Sequence, residues 1–227
     1  TPTAADALTG TVTVFAAASL TDTFQAISDR FMAEHPGVTV MLNFGGSSSL
    51  ATQIVEGAPA DVFAAASPAT VATVTDAGLG QGAPPTFATN ILKIAVPADN
   101  PGLVTGLADF ANPALTIALC AVEVPCGAAA KKALDAAGVT PSVDTYEQDV
   151  KAVLTKVELG EVDAGLVYVT DVLAAGDRVR GIRVGGADPA KYPILALTDS
   201  PATAAFVAFV LGDAGQKILR NAGFGAP

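Results

Sequence analysis

An α/β fold with parallel, doubly wound sheets is predicted by three features of the chain. Apolar strand-like runs alternate with helix-period segments along its length. Hydrophobic residues make up 51% of the 227, enough to bury one large domain or two compact lobes. Alanine and glycine dominate, Trp is absent and aromatics amount to 6%, which suits helices packed closely on sheets better than an aromatic-lined groove.

The elements follow in order. Residues 12–18 read as a strand, and Leu20, Phe24, Ile27 and Phe31 then recur at helical spacing until Glu34-His35-Pro36-Gly37 stops the helix. A strand at 38–44 leads into a helix marked by Leu50 and Ile54, and a strand at 61–65 into one marked by Val71 and Val74. Strands are expected at 91–96 and 116–119, the latter before an Ala-rich helix at 128–137 that ends at Gly138. Val150, Val153, Leu154 and Val157 mark a helix ending at Gly160, followed by strands at 164–169, 182–184 and 194–197. Phe206, Phe209 and Val210 belong to a last helix. Thr145-Tyr146-Glu147-Gln148 has capping-box spacing and puts Val150 near a helix start.

Two extended stretches, 86–90 and 192–198, are candidate crossings between lobes. They predict a discontinuous first lobe at 10–88 plus 198–227, a second at 89–197, and a flexible N-terminal segment at 1–9. That segment is rich in small residues and reads as a processed terminus or a linker, without the charged and apolar regions of a signal peptide. No apolar run reaches the ~20 residues of a membrane span.

Twelve Lys and Arg stand against 22 Asp and Glu, a formal charge of -10, so a nucleic-acid partner is not expected and no basic membrane-binding stretch appears. An anionic ligand would have to be held by local donors against the global field, which screening within about 8 Å allows. Cys120 and Cys126 are the only cysteines. With one distant His they cannot close a zinc site. A local disulfide, which implies an oxidising compartment, is the favoured reading over two reduced, packed thiols.

Chemistry concentrates where strands hand over to helices. Ser19 in Ala16-Ala17-Ala18-Ser19-Leu20 and Ser47 in Phe44-Gly45-Gly46-Ser47-Ser48-Ser49-Leu50 each place a hydroxyl and free backbone N–H groups at a helix start. Two such corners facing each other form an anion cradle without lysine or arginine; singly, each is an ordinary N-cap. Tyr168 ends an apolar run and reads as a core tyrosine unless its hydroxyl faces a ligand. Asp61 and Asp149 read as loop-orienting carboxylates, and His35 as an exposed residue in a turn.

Four patches carry a family resemblance over nearly the whole chain. They are Phe15 to Leu20; Phe44 to Leu50 with Gly57-Ala58-Pro59-Ala60-Asp61-Val62-Phe63; Val124-Pro125-Cys126-Gly127; and Asp149-Val150 followed by Gly165-Leu166-Val167-Tyr168. Together they resemble the extracytoplasmic molybdate-binding proteins of bacterial ABC importers. The resemblance implies two α/β lobes joined by a strand hinge, with a tetrahedral oxyanion bound in the cleft between them. It implies hydroxyl and N–H donors from Ser19 and Ser47, backbone N–H donors from Cys126 and Val150, and the phenolic hydroxyl of Tyr168. Family members usually carry Ala where this chain has Cys126, a change that leaves the N–H in place and bears on the loop's conformation.

The expected function is therefore capture of molybdate or tungstate, with no resident cofactor and no catalysis, by a monomer that hands its ligand to a membrane permease. The location implied is the periplasm or cell surface, with an upstream lipid anchor as one arrangement. An all-donor site prefers fully deprotonated molybdate, tungstate or sulfate, because a protonated phosphate brings a hydrogen that needs an acceptor. Should Asp61 or Asp149 point into the cleft, phosphate becomes a candidate. A sulfate or other oxyanion receptor on the same scaffold is the nearest alternative. A serine hydrolase is disfavoured, since there is no Gly-x-Ser-x-Gly elbow and the single His has no apparent partner. A ligand-sensing regulatory domain is disfavoured by the lack of a helix-turn-helix and of a basic face.

Overall fold

The structure, a computed structural model, describes residues 8–227. Two five-stranded sheets carry eight helices among those residues. The first sheet has the order β2 (Gly37–Gly45), β1 (Thr9–Ala17), β3 (Val62–Ala64), β10 (Ala190–Ala196), β4 (Thr86–Asn90). The second has the order β7 (Thr145–Glu147), β6 (Ile117–Cys120), β8 (Ala164–Tyr168), β5 (Leu92–Pro97), β9 (Val179–Arg183).

Both sheets are mixed, which corrects the all-parallel expectation. β1 runs parallel to β2 and β3, and β6 parallel to β7 and β8, but β10 is antiparallel to β3 and β4, and β5 antiparallel to β8 and β9. The reason lies in the crossings. β5 leaves the first sheet through Ile91 alone and pairs Leu92 with Tyr168, so it starts at the end of the second sheet where β8 finishes. β10 likewise pairs Ile194 with Ala64, the last residue of β3, before running back. A strand that enters a lobe from the hinge must run against strands that end there.

The crossings also bear on the expected lobe boundaries. Residues 86–90 form a paired strand, and β10, which the range 89–197 gave to the second lobe, hydrogen-bonds entirely within the first sheet. Of the segment expected to be flexible, residues 1–7 lie outside the described residues, and Thr9 already opens β1.

Helices α1 (Thr21–Glu34), α2 (Ser47–Val55), α3 (Pro68–Asp76), α7 (Pro201–Leu211) and α8 (Asp213–Asn221) accompany the first sheet. α4 (Pro125–Ala136), α5 (Val150–Glu158) and α6 (Val169–Ala175) accompany the second. α1 buries the stripe read from its periodicity, with Phe24, Ile27 and Phe31 fully covered. Phe31 and Phe24 meet Phe206 of α7 edge-on at 5.3 and 6.4 Å between ring centroids. His35 packs half-buried on Phe31 at 4.7 Å rather than standing free, which corrects its reading as exposed. The second core gathers Ile94, Val96, Ile117, Leu134, Val153, Val157 and Leu166, and Ala18 from the first lobe packs against it. No single helix among the described residues is long and apolar enough to cross a membrane.

The Cys120–Cys126 pair is a disulfide, joining the end of β6 to the first turn of α4. A closed loop this short restricts the unfolded chain by about 2 kcal/mol. Reduction should therefore lower the unfolding midpoint of the protein. Intact-mass comparison after alkylation without reductant should find no free thiol; a labelled thiol in the native protein would contradict the bridge.

Candidate anion-binding site

Ser19, Ser47, Cys126, Val150 and Tyr168 line one small cavity between the lobes, together with Ala17, Ala18, Gly45, Gly46, Ala66, Val124, Pro125 and Asp149. Its volume is about 20 Å³, close to what one water or small ion fills. The wider groove beside Tyr146 and Lys131, of about 580 Å³, lies on the second lobe and contains none of the five.

Helix starts build most of this site. Ser47 is the first residue of α2 behind an N-cap of Gly46, whose missing side chain leaves the first-turn N–H groups without a cap partner. α4 begins Pro125-Cys126, and proline has no N–H, so Cys126 carries the first N–H of that helix. Val150 opens α5 behind Asp149, whose Oδ1 accepts the Ala152 N–H at 3.0 Å and leaves the Val150 N–H unclaimed by the cap. Asp149, not a capping box from Thr145, is therefore the cap; Thr145 lies in β7 and its hydroxyl donates to Glu147 Oε1 at 2.6 Å. Three helix dipoles present their positive ends to one cavity.

The hydroxyls complete the arrangement. Ser47 Oγ accepts the Ala66 N–H at 3.0 Å, which directs its own proton elsewhere. Ser19 Oγ and the Tyr192 hydroxyl lie 2.9 Å apart. If Tyr192 donates, Ser19 keeps its proton for a ligand. The Tyr168 hydroxyl is buried and has no hydrogen-bond partner among the described residues. Burial, reinforced by the carboxylate of Asp171, pushes its pKa well above the ordinary phenol range, so it stays a neutral O–H donor.

Sequence reasoning missed four contributors. Tyr192 was read as part of a crossing, yet its fully buried ring lies edge-on to Tyr168 at 6.1 Å and positions Ser19. Asp171 sits three residues after Tyr168, and its Oδ2 accepts the Tyr168 N–H at 2.9 Å. Burial pushes its pKa up to about 7, opposed by the Lys151 ammonium and the Tyr168 N–H. Its i,i+3 spacing from Tyr168 is the one signal that was available. Ala66 and Lys151 left no signal, because one contributes only an N–H and the other reads as an ordinary helix-surface lysine.

Asp61 lies away from the cavity. Its carboxylate accepts the Thr13 N–H at 2.8 Å and the Thr198 hydroxyl at 2.9 Å, tying β1 to the segment that follows β10. Asp149 does line the cavity. Among the described residues no cluster of His, Cys, Asp and Glu has a metal-binding arrangement. The donors suit an oxyanion instead.

Comparison with known proteins gives the fold a family. The sequence profile of the family described as bacterial extracellular solute-binding protein matches residues 12–225. The molybdate-binding protein ModA of Mycobacterium tuberculosis H37Rv is 42% identical over 221 residues, covering 95% of this chain and 85% of that one. The periplasmic molybdate-binding protein of Azotobacter vinelandii superposes with a TM-score of 0.83 at 21% identity, covering 95% and 99% of the two chains. The sulfate-binding protein SubI of M. tuberculosis superposes with a TM-score of 0.80 at 19% identity, covering 94% and 86%. At those identities the two structures speak for a shared two-lobed fold alone. The match along nearly its whole length and the 42% identity place the chain in a family: it belongs to the bacterial extracellular solute-binding proteins.

Proposed function

We propose that this protein binds molybdate, and tungstate with it, between its lobes and delivers it to the membrane permease of an ABC importer. The observation that carries the reading is the convergence of three helix N-termini and the unpartnered, buried Tyr168 hydroxyl on one cavity with no basic side chain in its lining. The likeness to a molybdate-binding relative at 42% identity supports the choice of anion.

In this reading Ser19 and Ser47 donate through hydroxyl and backbone N–H, Cys126 and Val150 through backbone N–H, and Tyr168 through its phenol. Each hydrogen bond to an ionised acceptor contributes roughly 1.5–3 kcal/mol, so about six or seven offset the desolvation of a dianion. With no counter-ion in the cavity wall, release breaks no buried salt bridge around the ligand. Delivery then requires only that the lobes part. No resident cofactor and no catalytic step belong to this cycle, and the acidic surface gives nucleic acid no purchase. A monomer is sufficient, since all five residues come from one chain. The disulfide supports an extracytoplasmic setting.

Sulfate on the same scaffold is the second reading, favoured by the fold shared with a sulfate-binding protein. Because Asp149 lines the cavity and offers an acceptor, phosphate belongs among the competing anions. Ser19→Ala and Ser47→Ala should each weaken molybdate binding by roughly 1–3 kcal/mol without unfolding the protein. Titration calorimetry on the folded variants checks this, and wild-type affinity in both would contradict the site.

A further inference from the structure

Lys151 follows Val150 on α5, yet its ammonium reaches a carboxylate of the other lobe. Its Nζ lies 3.0 Å from Oδ2 of Asp22, near the start of α1. The same ammonium stands 3.9 Å from Oδ1 of Asp171, the oxygen that has no hydrogen-bond partner. One cation is thus flanked by a carboxylate from each lobe. On the α2 side, the Ser48 hydroxyl donates across the cleft to the Glu123 carbonyl at 2.6 Å. The two contacts tie separate parts of the first lobe to the second, on α1 and on α2.

The two partners of Lys151 differ in kind. Asp171 is buried, lies on the same lobe as Lys151 and travels with it when the cleft opens. Asp22 is exposed, its side chain 68% accessible, and rehydrates at little cost once released. Opening therefore breaks only the weak, exposed half of the arrangement and never strands the lysine. Such a contact suits a closure that must also reverse.

We propose that Lys151 is a positioning residue for cleft closure: its bond to Asp22 forms when the lobes meet, holds the start of α5 and the Val150 N–H against the cavity, and sets how fast the ligand leaves. The kinetic part rests on the anion-binding reading above, whereas the bond across the lobes does not. An exposed ion pair of this sort changes an equilibrium about two- to five-fold and is screened by salt.

The test pairs stopped-flow dissociation of molybdate with the lobe-to-lobe distance distribution of the ligand-free protein, read by energy transfer between dyes on the two lobes. Asp22→Asn should release molybdate about two- to five-fold faster at low salt and lose most of the wild type's salt dependence. Its ligand-free distances should shift toward the open form. Lys151→Arg should restore wild-type behaviour, and Lys151→Gln should act in the same direction as Asp22→Asn. Because Lys151→Gln also leaves Asp171 unopposed, the exposed Asp22→Asn change decides the matter if the glutamine variant folds poorly. Wild-type release and unchanged distances in Asp22→Asn overturn the proposal. If the wild type fails to bind molybdate, the anion reading fails while the ligand-free distances still decide the clasp.

Discussion

Gly46→Ala is expected to weaken molybdate binding by about tenfold to a hundredfold while the protein stays folded. Gly46 has φ -60° and ψ 128°, a conformation open to any residue, so alanine meets no backbone strain within the first lobe. Across the cleft the situation differs. A methyl group built on Gly46 runs into the carbonyl oxygen of Gln148, a backbone atom just ahead of α5 that no side-chain rotation can clear. The clash exists only when the lobes meet, and overpacking of this kind costs typically 1–3 kcal/mol, which falls on the closed form. Losing glycine as the cap of α2 adds a smaller cost that is shared by open and closed forms. Calorimetric titration and a thermal melt on the same sample separate the two effects. Wild-type affinity in Gly46→Ala would mean that the anion site works without this close approach.

The second large effect concerns Asp171. Its folded-state pKa is raised from 3.8 to about 7, chiefly by burial, with Asp22 and Asp149 adding to the rise and Lys151 and the Tyr168 N–H opposing it. Between about pH 4 and about pH 7 the unfolded chain has therefore given up a proton that the folded protein keeps. Unfolding releases that proton, so this group's contribution to stability falls as pH rises through the window and levels off above about pH 7. The full drop is on the order of 4 kcal/mol. Asp109, held below the usual carboxylate range by hydrogen bonds from Thr105, and Asp188, held there by Lys132, change stability only in more acidic solution. Asp171→Asn keeps an oxygen for the Tyr168 N–H and removes the titration. Denaturant unfolding from about pH 5 to about pH 8 should show a decline in the wild type that the variant lacks. Parallel profiles would place the titration elsewhere.

Much of the fold was legible because its cause is local. The Leu20-Phe24-Ile27-Phe31 stripe, the Pro36-Gly37 stop and the alternation of strand and helix each depend on residues a few positions apart. The strand directions were not legible. β5 and β10 look like any buried strand, and what reverses them is arrival from the hinge, a fact of the whole chain. β7 was missed because a strand as short as Thr145–Glu147 carries no period that could be read, whereas Thr86–Asn90 reads as an extended stretch and forms β4 with those bounds.

The site divides in the same way. Ser19, Ser47 and Tyr168 announce themselves through side chains, whereas Cys126 and Val150 line the cavity at helix starts, where a backbone N–H leaves no side-chain signature. Tyr192 and Lys151 act on elements distant in sequence, Tyr192 through Ser19 at a separation of 173 residues and Lys151 through Asp22 at 129. No spacing rule reaches that far.

The most direct test of the central claim is titration calorimetry of the ligand-free protein with molybdate, tungstate, sulfate and phosphate at one ionic strength. Tight binding of molybdate and tungstate, with sulfate and phosphate much weaker, is the predicted result. Sulfate bound as tightly as molybdate would make the protein a general oxyanion receptor, and silence from all four would contradict an anion site at these helix starts.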